Sequence, residues 1–225
     1  MNNYSSSSRA AALQPFARRL LWLGTLLLAL TLAVFAGRAQ AQEGPDALVR
    51  KLTDEVLAAI KADPAIQAGD PQRLLQLVDQ KVLPYVDFEK TTRLAAGRYW
   101  RQATPDQQQA LIKEFRTTLV RTYSGAVSSV KQQTQVELKP SRHEPGATDT
   151  VVRTIIKQPV GDPVSVDYRL ELVNGQWKVY DVNVLGVWLI ENYRNQFSQQ
   201  ISQGGVDGLI RSLAERNRQF ESAKK

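Results

Sequence analysis

The chain of 225 residues contains no cysteine, and that absence limits both its architecture and its chemistry. Without thiols it can form neither a disulfide framework nor a thiolate metal site. Its one histidine, His143, precedes Glu144-Pro145-Gly146 in a composition typical of a loop, and we expect a solvent-exposed turn residue there. A hydrolase with a histidine base is therefore disfavoured. A single histidine among scattered acids also gives no metal-ligand spacing.

Sequence motifs of other catalytic sites are also scarce. The segment Gly204–Gly208 lacks the lysine and the preceding strand of a phosphate-binding loop, so it predicts a helix C-cap and a restart. Paired carboxylates could still support acid–base chemistry, and Asp167, Glu171 and Asp181 lie on neighbouring predicted strands. Asp167 and Glu171 alternate with apolar residues, as on a solvated strand face, and Tyr180-Asp181 fits a structural pair at a strand end. A non-enzymatic protein is favoured, with a small acid–base hydrolase as an alternative.

The positive charge of the chain, +7 overall, comes largely from its N-terminus. Residues 1–41 carry four arginines and no acidic residue, so the other 184 residues have 25 basic and 22 acidic side chains. Because these charges are interspersed, the concentrated basic face of a nucleic-acid-binding protein is absent. We therefore expect no nucleic-acid partner.

Residues 1–41 have the organisation of a secretory signal peptide. Arginines precede an apolar run of 17 residues from Leu20 to Ala36, and Ala39-Gln40-Ala41 offers small residues at alternate positions to a signal peptidase. The alternative is an uncleaved anchor, but the run is shorter than the roughly 20 residues that span a membrane. We expect export, cleavage near Ala41, and a single mature domain over residues 42–225.

Helical periodicity dominates the mature chain up to about Val130. The strongest start signal is Thr104-Pro105-Asp106-Gln107, which combines an N-cap threonine, a proline at the first helical position and a capping-box glutamine. Helices are predicted from Pro45, from Asp70-Pro71 to Leu83, from Asp87 to near Gly97, from Thr104, from Gly186, and from Val206 to Phe220.

Strand patterns occupy the region between these helices. Val164 to Leu172 alternates strictly between apolar and polar residues, Asn174-Gly175 is a strong hairpin signal, and Trp177 to Val184 returns. Thr134 to Lys139 and Thr150 to Lys157 add two upstream strands. Because helices and strands are segregated, the sequence predicts an α+β fold with helices packed on one face of a roughly four-stranded antiparallel sheet.

The order and spacing of several segments resemble one family in particular, the periplasmic phospholipid-binding component of the Mla intermembrane transport pathway, also called the MlaC or toluene-tolerance family. The likeness covers most of the mature chain and is carried by Val82–Phe88, Leu94–Arg101, Thr104–Tyr123, Trp177–Val182, Gly186–Leu189, Asn192–Arg194, Phe197 and Gly204–Leu209. One departure is Trp188, where the family commonly has a serine, and it puts the local loop geometry or pocket lining in question.

The resemblance implies a deep apolar pocket that takes lipid tails, with phospholipid as cargo and no cofactor. It also implies an outer-membrane lipoprotein–porin complex and an inner-membrane ABC transporter complex as partners, with retrograde transport between them. A periplasmic adaptor that binds protein or cell-wall polymer through a filled core is the alternative, and bound lipid in native mass spectrometry would distinguish the two.

The predicted cavity lies between the apolar sheet face and the helices. The same periodicity also fits a solid core. Three arginines, Arg98, Arg101 and Arg194, could approach a phosphate or a partner's acidic surface, although exposed arginines are usually only solvated. The predicted lipid-binding residues are Trp100, Phe115, Leu119, Tyr123, Val166, Tyr168, Leu170, Val184 and Leu189.

Overall fold

The computed structural model describes residues 43–144 and 146–222. The predicted signal peptide and its cleavage site at Ala41 lie outside these residues. The α-helices are α1 Pro45–Ala62, α2 Pro64–Gln67, α3 Pro71–Leu77, α4 Phe88–Ala96, α5 Pro105–Ser128 and α6 Leu189–Ser222, and the strands are β1 Gln135–Leu138, β2 Asp149–Lys157, β3 Val164–Val173, β4 Gln176–Val184 and β5 Val187–Trp188. The α6 segment is two helices that meet at a kink, because Gly205 has the non-helical backbone angles φ 68° and ψ −176°, at the predicted C-cap and restart. None of the helices within the described ranges is long and apolar enough to cross a membrane.

Side-chain caps and prolines set the helix starts. The predicted capping box of α5 is confirmed, since the Gln107 amide donates to Thr104 Oγ1 at 3.3 Å and the Thr104 amide donates to Gln107 Oε1 at 2.9 Å. The predicted helix from Asp70 changes pitch after α3, passing through a π-helical turn, Val78–Val82, and a 3₁₀ turn, Leu83–Tyr85. Pro84 lacks the amide that an α-helix would need there.

The sheet is an antiparallel meander in the order β1-β2-β3-β4-β5. The predicted α+β class is confirmed, with one strand more than expected. The additional strand, β5, has two residues, and it pairs Val187 with Val184 and Trp188 with Asn183. Periodicity could not reveal it, because a two-residue strand contains no repeat.

A β-bulge interrupts β4. Arg169 pairs with Asp181 and Leu170 pairs with Val179, so Tyr180 has no partner on β3. The bulge returns Val182 to the apolar side of the sheet and turns Asp181 toward the polar side. The carbonyl of Tyr180 accepts a hydrogen bond from Thr91 Oγ1 of α4 at 2.6 Å. The α4 helix thus supplies the partner that the bulge removes from the ladder.

Three apolar clusters hold the layers together. In the first, α1 packs on the apolar sheet face, where Leu48, Val49 and Leu52 meet Val152, Leu170 and Val179. A second cluster joins α4, α5 and α6, and its rings Phe115, Tyr193 and Phe197 meet edge to face with centroids 4.7–5.7 Å apart. A third joins the end of α1 with α2 and α3 through Ile60, Ile66, Leu74 and Leu77.

The polar sheet face is only half exposed. Lys90 of α4 forms an ion pair with Glu171, and its ammonium lies 3.7 Å from the centre of the Tyr180 ring. The Tyr180 hydroxyl donates to Asp149 at 2.9 Å. Asp167 and Glu171, which were expected on a solvated face, are therefore partly covered.

His143 is not the solvent-exposed turn residue that its sequence context suggested. Its Nδ1 lies 2.7 Å from Thr150 Oγ1, its Nε2 lies 3.0 Å from Asp46 Oδ1, and its side chain is 23% exposed. The 141–144 segment thereby contacts the start of both α1 and β2. Sequence composition described the loop, but only tertiary packing placed the imidazole between two elements.

Two tight turns of the sheet have the same left-handed backbone with different residues. The β3–β4 turn has Asn174 at φ 50° and Gly175 at φ 78°, as the sequence predicts, and the β4–β5 turn has Leu185 at φ 53° and Gly186 at φ 90°. Leucine is disfavoured in this conformation because its Cβ crowds the following carbonyl. The Leu185 side chain is also 67% exposed, so neither backbone preference nor burial accounts for it.

We predict that Leu185→Asn stabilises the fold by about 1 kcal/mol, because asparagine tolerates the left-handed region. For a domain of this size, the melting temperature should rise by about 2–4 °C per kcal/mol, measured by calorimetry. The reciprocal change Asn174→Leu is the matched control and should lower the melting temperature by a similar amount. A lower melting temperature for Leu185→Asn would contradict the strain at this turn.

Candidate functional site

An apolar cavity of about 250 Å³ lies between β4 and the surrounding helices. Its walls come from the α3 segment with its π-helical and 3₁₀ turns, from the start of α4, from α5, from β4 and from the first residue of α6. The lining residues are Leu74, Val78, Val82, Leu83, Val86, Phe88, Thr91, Arg116, Leu119, Val120, Tyr123, Val127, Val179, Tyr180, Asp181, Val182 and Leu189.

The bulge in β4 shapes one wall of the cavity. The four consecutive residues from Val179 to Val182 all contribute to the lining. In a regular strand only alternate residues face one side, so a regular β4 could not present four neighbours to one space. The same stretch is held from outside the sheet, because the Asp87 amide donates to the Val179 carbonyl at 2.8 Å.

Two helical rows form the facing walls. On one side, Leu74, Val78 and Val82 recur at four-residue spacing through α3 and the π-helical turn. On the other side, five α5 residues, each three or four positions from at least one other, occupy one helical face. They are Arg116, Leu119, Val120, Tyr123 and Val127. Desolvation raises the pKa of the Tyr123 phenol above its usual range, which agrees with its apolar surroundings.

Asp181 joins the cavity wall to the start of α6. Its side chain is fully buried, and it accepts hydrogen bonds from the Val182 amide at 2.9 Å, the Ile190 amide at 3.1 Å and Arg169 Nη1 at 3.1 Å. Burial raises the pKa of its carboxyl, and these donors and the Arg169 charge oppose that shift. This geometry supports the interpretation of Asp181 as a structural residue at a strand end.

Trp188 contacts the arginine that pairs with Asp181 and lies outside the cavity lining. The guanidinium carbon of Arg169 lies 3.8 Å from the centre of the Trp188 ring, a cation–π contact. The tryptophan therefore covers the arginine that pairs with Asp181. In this chain the departure from the expected serine affects the support of the wall and does not alter the lining itself.

Of the nine predicted lipid-binding residues, Leu119, Tyr123 and Leu189 line the cavity. The other six are placed elsewhere, and their role in lipid binding stays a prediction. Phe115 and Leu170 are fully enclosed in the first two clusters, Trp100 and Val166 are also buried, and Tyr168 and Val184 are half-buried on the apolar sheet face.

Four lining residues of β4, Val179–Val182, and the lining arginine were not among the predicted residues, although Val184 at the end of β4 was. Three predicted residues lie on β3, which alternates without a break, whereas the four β4 residues reach the cavity through a bulge that cannot be read from alternation. Arg116 carried a detectable signal, since it lies three and four residues before Leu119 and Val120. Arg98, Arg101 and Arg194, which were considered for phosphate contact, are exposed and outside the lining.

Comparison with known proteins places the chain in a family. The model of the MlaC protein family matches residues 50–215. The chain belongs to the MlaC family. The resemblance that the sequence motifs indicated is thereby confirmed.

Relatives in the MlaC family cover most of the chain. The intermembrane phospholipid transport system binding protein MlaC of Haemophilus influenzae is 26% identical over 197 residues, which is 85% of this chain and 91% of that protein. The toluene tolerance protein ttg2D of Pseudomonas putida is 27% identical over 177 residues, which is 78% of this chain and 81% of that protein.

One solved structure resembles this MlaC-family fold closely. It is the phospholipid-binding protein from Ralstonia solanacearum, determined in complex with a phospholipid. The two chains are 47% identical, and the TM-score is 0.75 over 78% of this chain and 98% of the other.

Among the residues described here, no group of three or more His, Asp or Glu side chains could hold a metal ion.

The raised pKa of Asp181 has a consequence for stability. Because the folded protein holds this proton more tightly than the unfolded chain does, the contribution of the group is greatest at low pH and is lost as pH rises through the raised pKa. We predict that the wild type loses stability relative to Asp181→Asn as the pH rises from about 4, the ordinary pKa of an aspartate, through the raised pKa of the folded protein. Urea unfolding at several pH values measures the difference, and a constant difference across this range would contradict the prediction.

Proposed function

We propose that this protein is a non-enzymatic phospholipid carrier that shelters acyl chains in the cavity between β4 and the helices. The observation that carries the proposal is the apolar lining of that cavity, together with the phospholipid bound by the Ralstonia solanacearum relative. We further propose that residues 1–41 are removed on export, that residues 42–225 form the lipid-binding domain, and that the protein works in the periplasm.

The physical need for such a carrier follows from the cost of exposing hydrocarbon. A buried methylene group contributes about 0.8 kcal/mol, so two long acyl chains represent on the order of 20 kcal/mol of unfavourable contact with water. An apolar cavity offsets this cost without any reacting group. The buried carboxylate in the lining, Asp181, is already engaged by three donors, which favours carriage over catalysis.

The volume of the cavity bears on how lipid is held. At about 250 Å³ it is smaller than the roughly 300–1,000 Å³ typical of small-molecule sites. A two-chain lipid would therefore need the walls to separate. We propose that the π-helical and 3₁₀ turns at Val78–Tyr85 accommodate this separation, since they depart from regular α-helix and line the cavity.

Transfer between two membranes also needs docking partners. The name of the Haemophilus influenzae relative refers to an intermembrane phospholipid transport system. We propose an inner-membrane ABC transporter complex and an outer-membrane lipoprotein–porin complex as the partners of this chain.

Native mass spectrometry of the purified mature protein tests carriage directly. We expect adducts whose mass matches phospholipids, and solvent extraction should release the same lipids. A bare polypeptide mass, together with an extract free of lipid, would instead favour an adaptor function.

We predict that Leu119→Trp lowers the amount of bound phospholipid severalfold, because the larger ring occupies space in the cavity. The measurement is the lipid-bound fraction in native mass spectra. Lys113→Trp adds the same ring to an exposed position of α5 and should retain wild-type loading. Equal loading of both variants would show that lipid does not occupy this cavity.

A further inference from the structure

Arg116 is the one cationic side chain among the described residues that line the cavity. Its Nη1 lies 2.9 Å from Asp79 Oδ1, on the π-helical turn that faces α5. The side chains of Arg116 and Asp79 are 29% and 45% exposed, so the pair lies where the cavity meets solvent. An arginine at the edge of an apolar cavity can contact the cavity and the water outside it at once.

The lining residues on α5 form a row that begins with a charged residue, Arg116, and continues with mainly apolar residues. From Arg116 the lining continues through Leu119, Val120 and Tyr123 to Val127. Eleven residues of α-helix span about 16 Å at about 1.5 Å per residue. One leaflet of a bilayer has a hydrocarbon thickness of about 15 Å, half of the roughly 30 Å core. The row therefore matches the length of an acyl chain, with the cation at the position of the headgroup.

The guanidinium of Arg116 is only partly engaged by the protein. Nη1 faces Asp79, and Nε is buried and has no hydrogen-bond partner among the described residues, so Nε can reach a phosphodiester oxygen only when the cavity walls separate to admit lipid. A guanidinium presents its N–H groups in a planar fork that matches two oxygens of a phosphate. Among the other polar lining groups, Asp181 is an acceptor, and Thr91 Oγ1 and the Tyr180 hydroxyl already donate to the Tyr180 carbonyl and to Asp149.

We propose that Arg116 binds the phosphodiester of the lipid cargo, and that Asp79 holds the guanidinium at the cavity edge when no lipid is present. This inference rests on the proposed carrier function and adds a headgroup site to it. When lipid binds, the phosphodiester replaces Asp79 as a hydrogen-bond acceptor for the guanidinium. The carboxylate of Asp79, which is the more exposed partner, is then hydrated by solvent. Asp79 therefore competes with the cargo.

Competition gives the two substitutions opposite effects. Arg116→Gln removes the charge that attracts the phosphodiester, so it weakens the preference for phosphorylated lipid. Asp79→Asn removes the competitor, so it strengthens that preference. An ion pair that only joins α5 to the π-helical turn would be broken by either substitution, and both variants would then change in the same direction.

The experiment is a competition between two lipids with identical acyl chains. Mature wild type, Arg116→Gln and Asp79→Asn are each incubated with vesicles containing equal amounts of phosphatidylglycerol and diacylglycerol. Native mass spectrometry then gives the ratio of the two bound lipids. We expect the ratio to fall about tenfold in Arg116→Gln, as for loss of one charge-assisted interaction, and to rise in Asp79→Asn. Arg101→Gln removes an exposed arginine outside the cavity and should keep the wild-type ratio.

A second measurement separates a headgroup site from a site for free phosphate. Thermal unfolding is recorded with inorganic phosphate and with glycerophosphoglycerol, the deacylated headgroup. We expect neither to raise the melting temperature of wild type more than that of Arg116→Gln. An Arg116-dependent rise with inorganic phosphate, combined with an unchanged lipid ratio, would assign the site to a free anion and overturn the proposal.

The remaining outcomes are also decisive. A ratio that is the same in wild type and Arg116→Gln, or that falls in both variants, overturns the headgroup site while carriage stands. Wild type that binds neither lipid overturns carriage, and the headgroup site with it. The melting temperature of each variant is the control for folding. Values within a few degrees of wild type establish that a changed lipid ratio does not come from unfolding.

Discussion

The buried carboxylate of Asp181 is the point on which the walls of the cavity depend. This carboxylate accepts three hydrogen bonds. The donors are the Val182 amide on the same strand, the Ile190 amide in the first turn of α6, and the guanidinium of Arg169 on β3. A buried charge is tolerated only when its lone pairs are occupied, and removing one partner of such a pair typically costs about 3–5 kcal/mol. The position of β4 relative to α6 is therefore fixed by electrostatics at a place where apolar packing is incomplete.

The bulge at Tyr180 makes this arrangement possible. Without it, Asp181 would face the apolar side of the sheet with Val179, and Val182 would face the polar side. The bulge exchanges these orientations and supplies four consecutive lining residues. The Tyr180 carbonyl, which has no partner on β3, accepts a hydrogen bond from Thr91, and this contact also attaches α4 to the cavity wall. A single irregularity thus forms the cavity and connects three elements around it.

Hollow interiors are costly, because unfilled space loses dispersion contacts that a packed core would make. In this protein the three apolar clusters are distributed around the cavity and leave it unfilled. The exposed, strained Leu185 is a second place where stability is not maximised. Local features that conflict with packing or backbone preference are expected where a protein has a function to perform.

The sequence by itself determined the class of the fold, because segregated helical and strand periodicities are local and each was strong. It also determined helix starts such as the capping box at Thr104, the hairpin at Asn174-Gly175, and the family, which depends on the order of motifs along the chain. Tertiary structure alone decided which residues line the cavity. Phe115 and Leu119 share one helical stripe, yet the first is enclosed by other rings and the second faces open space. Periodicity reports that a face is buried, but whether a neighbour fills the space beside it depends on contacts between distant elements.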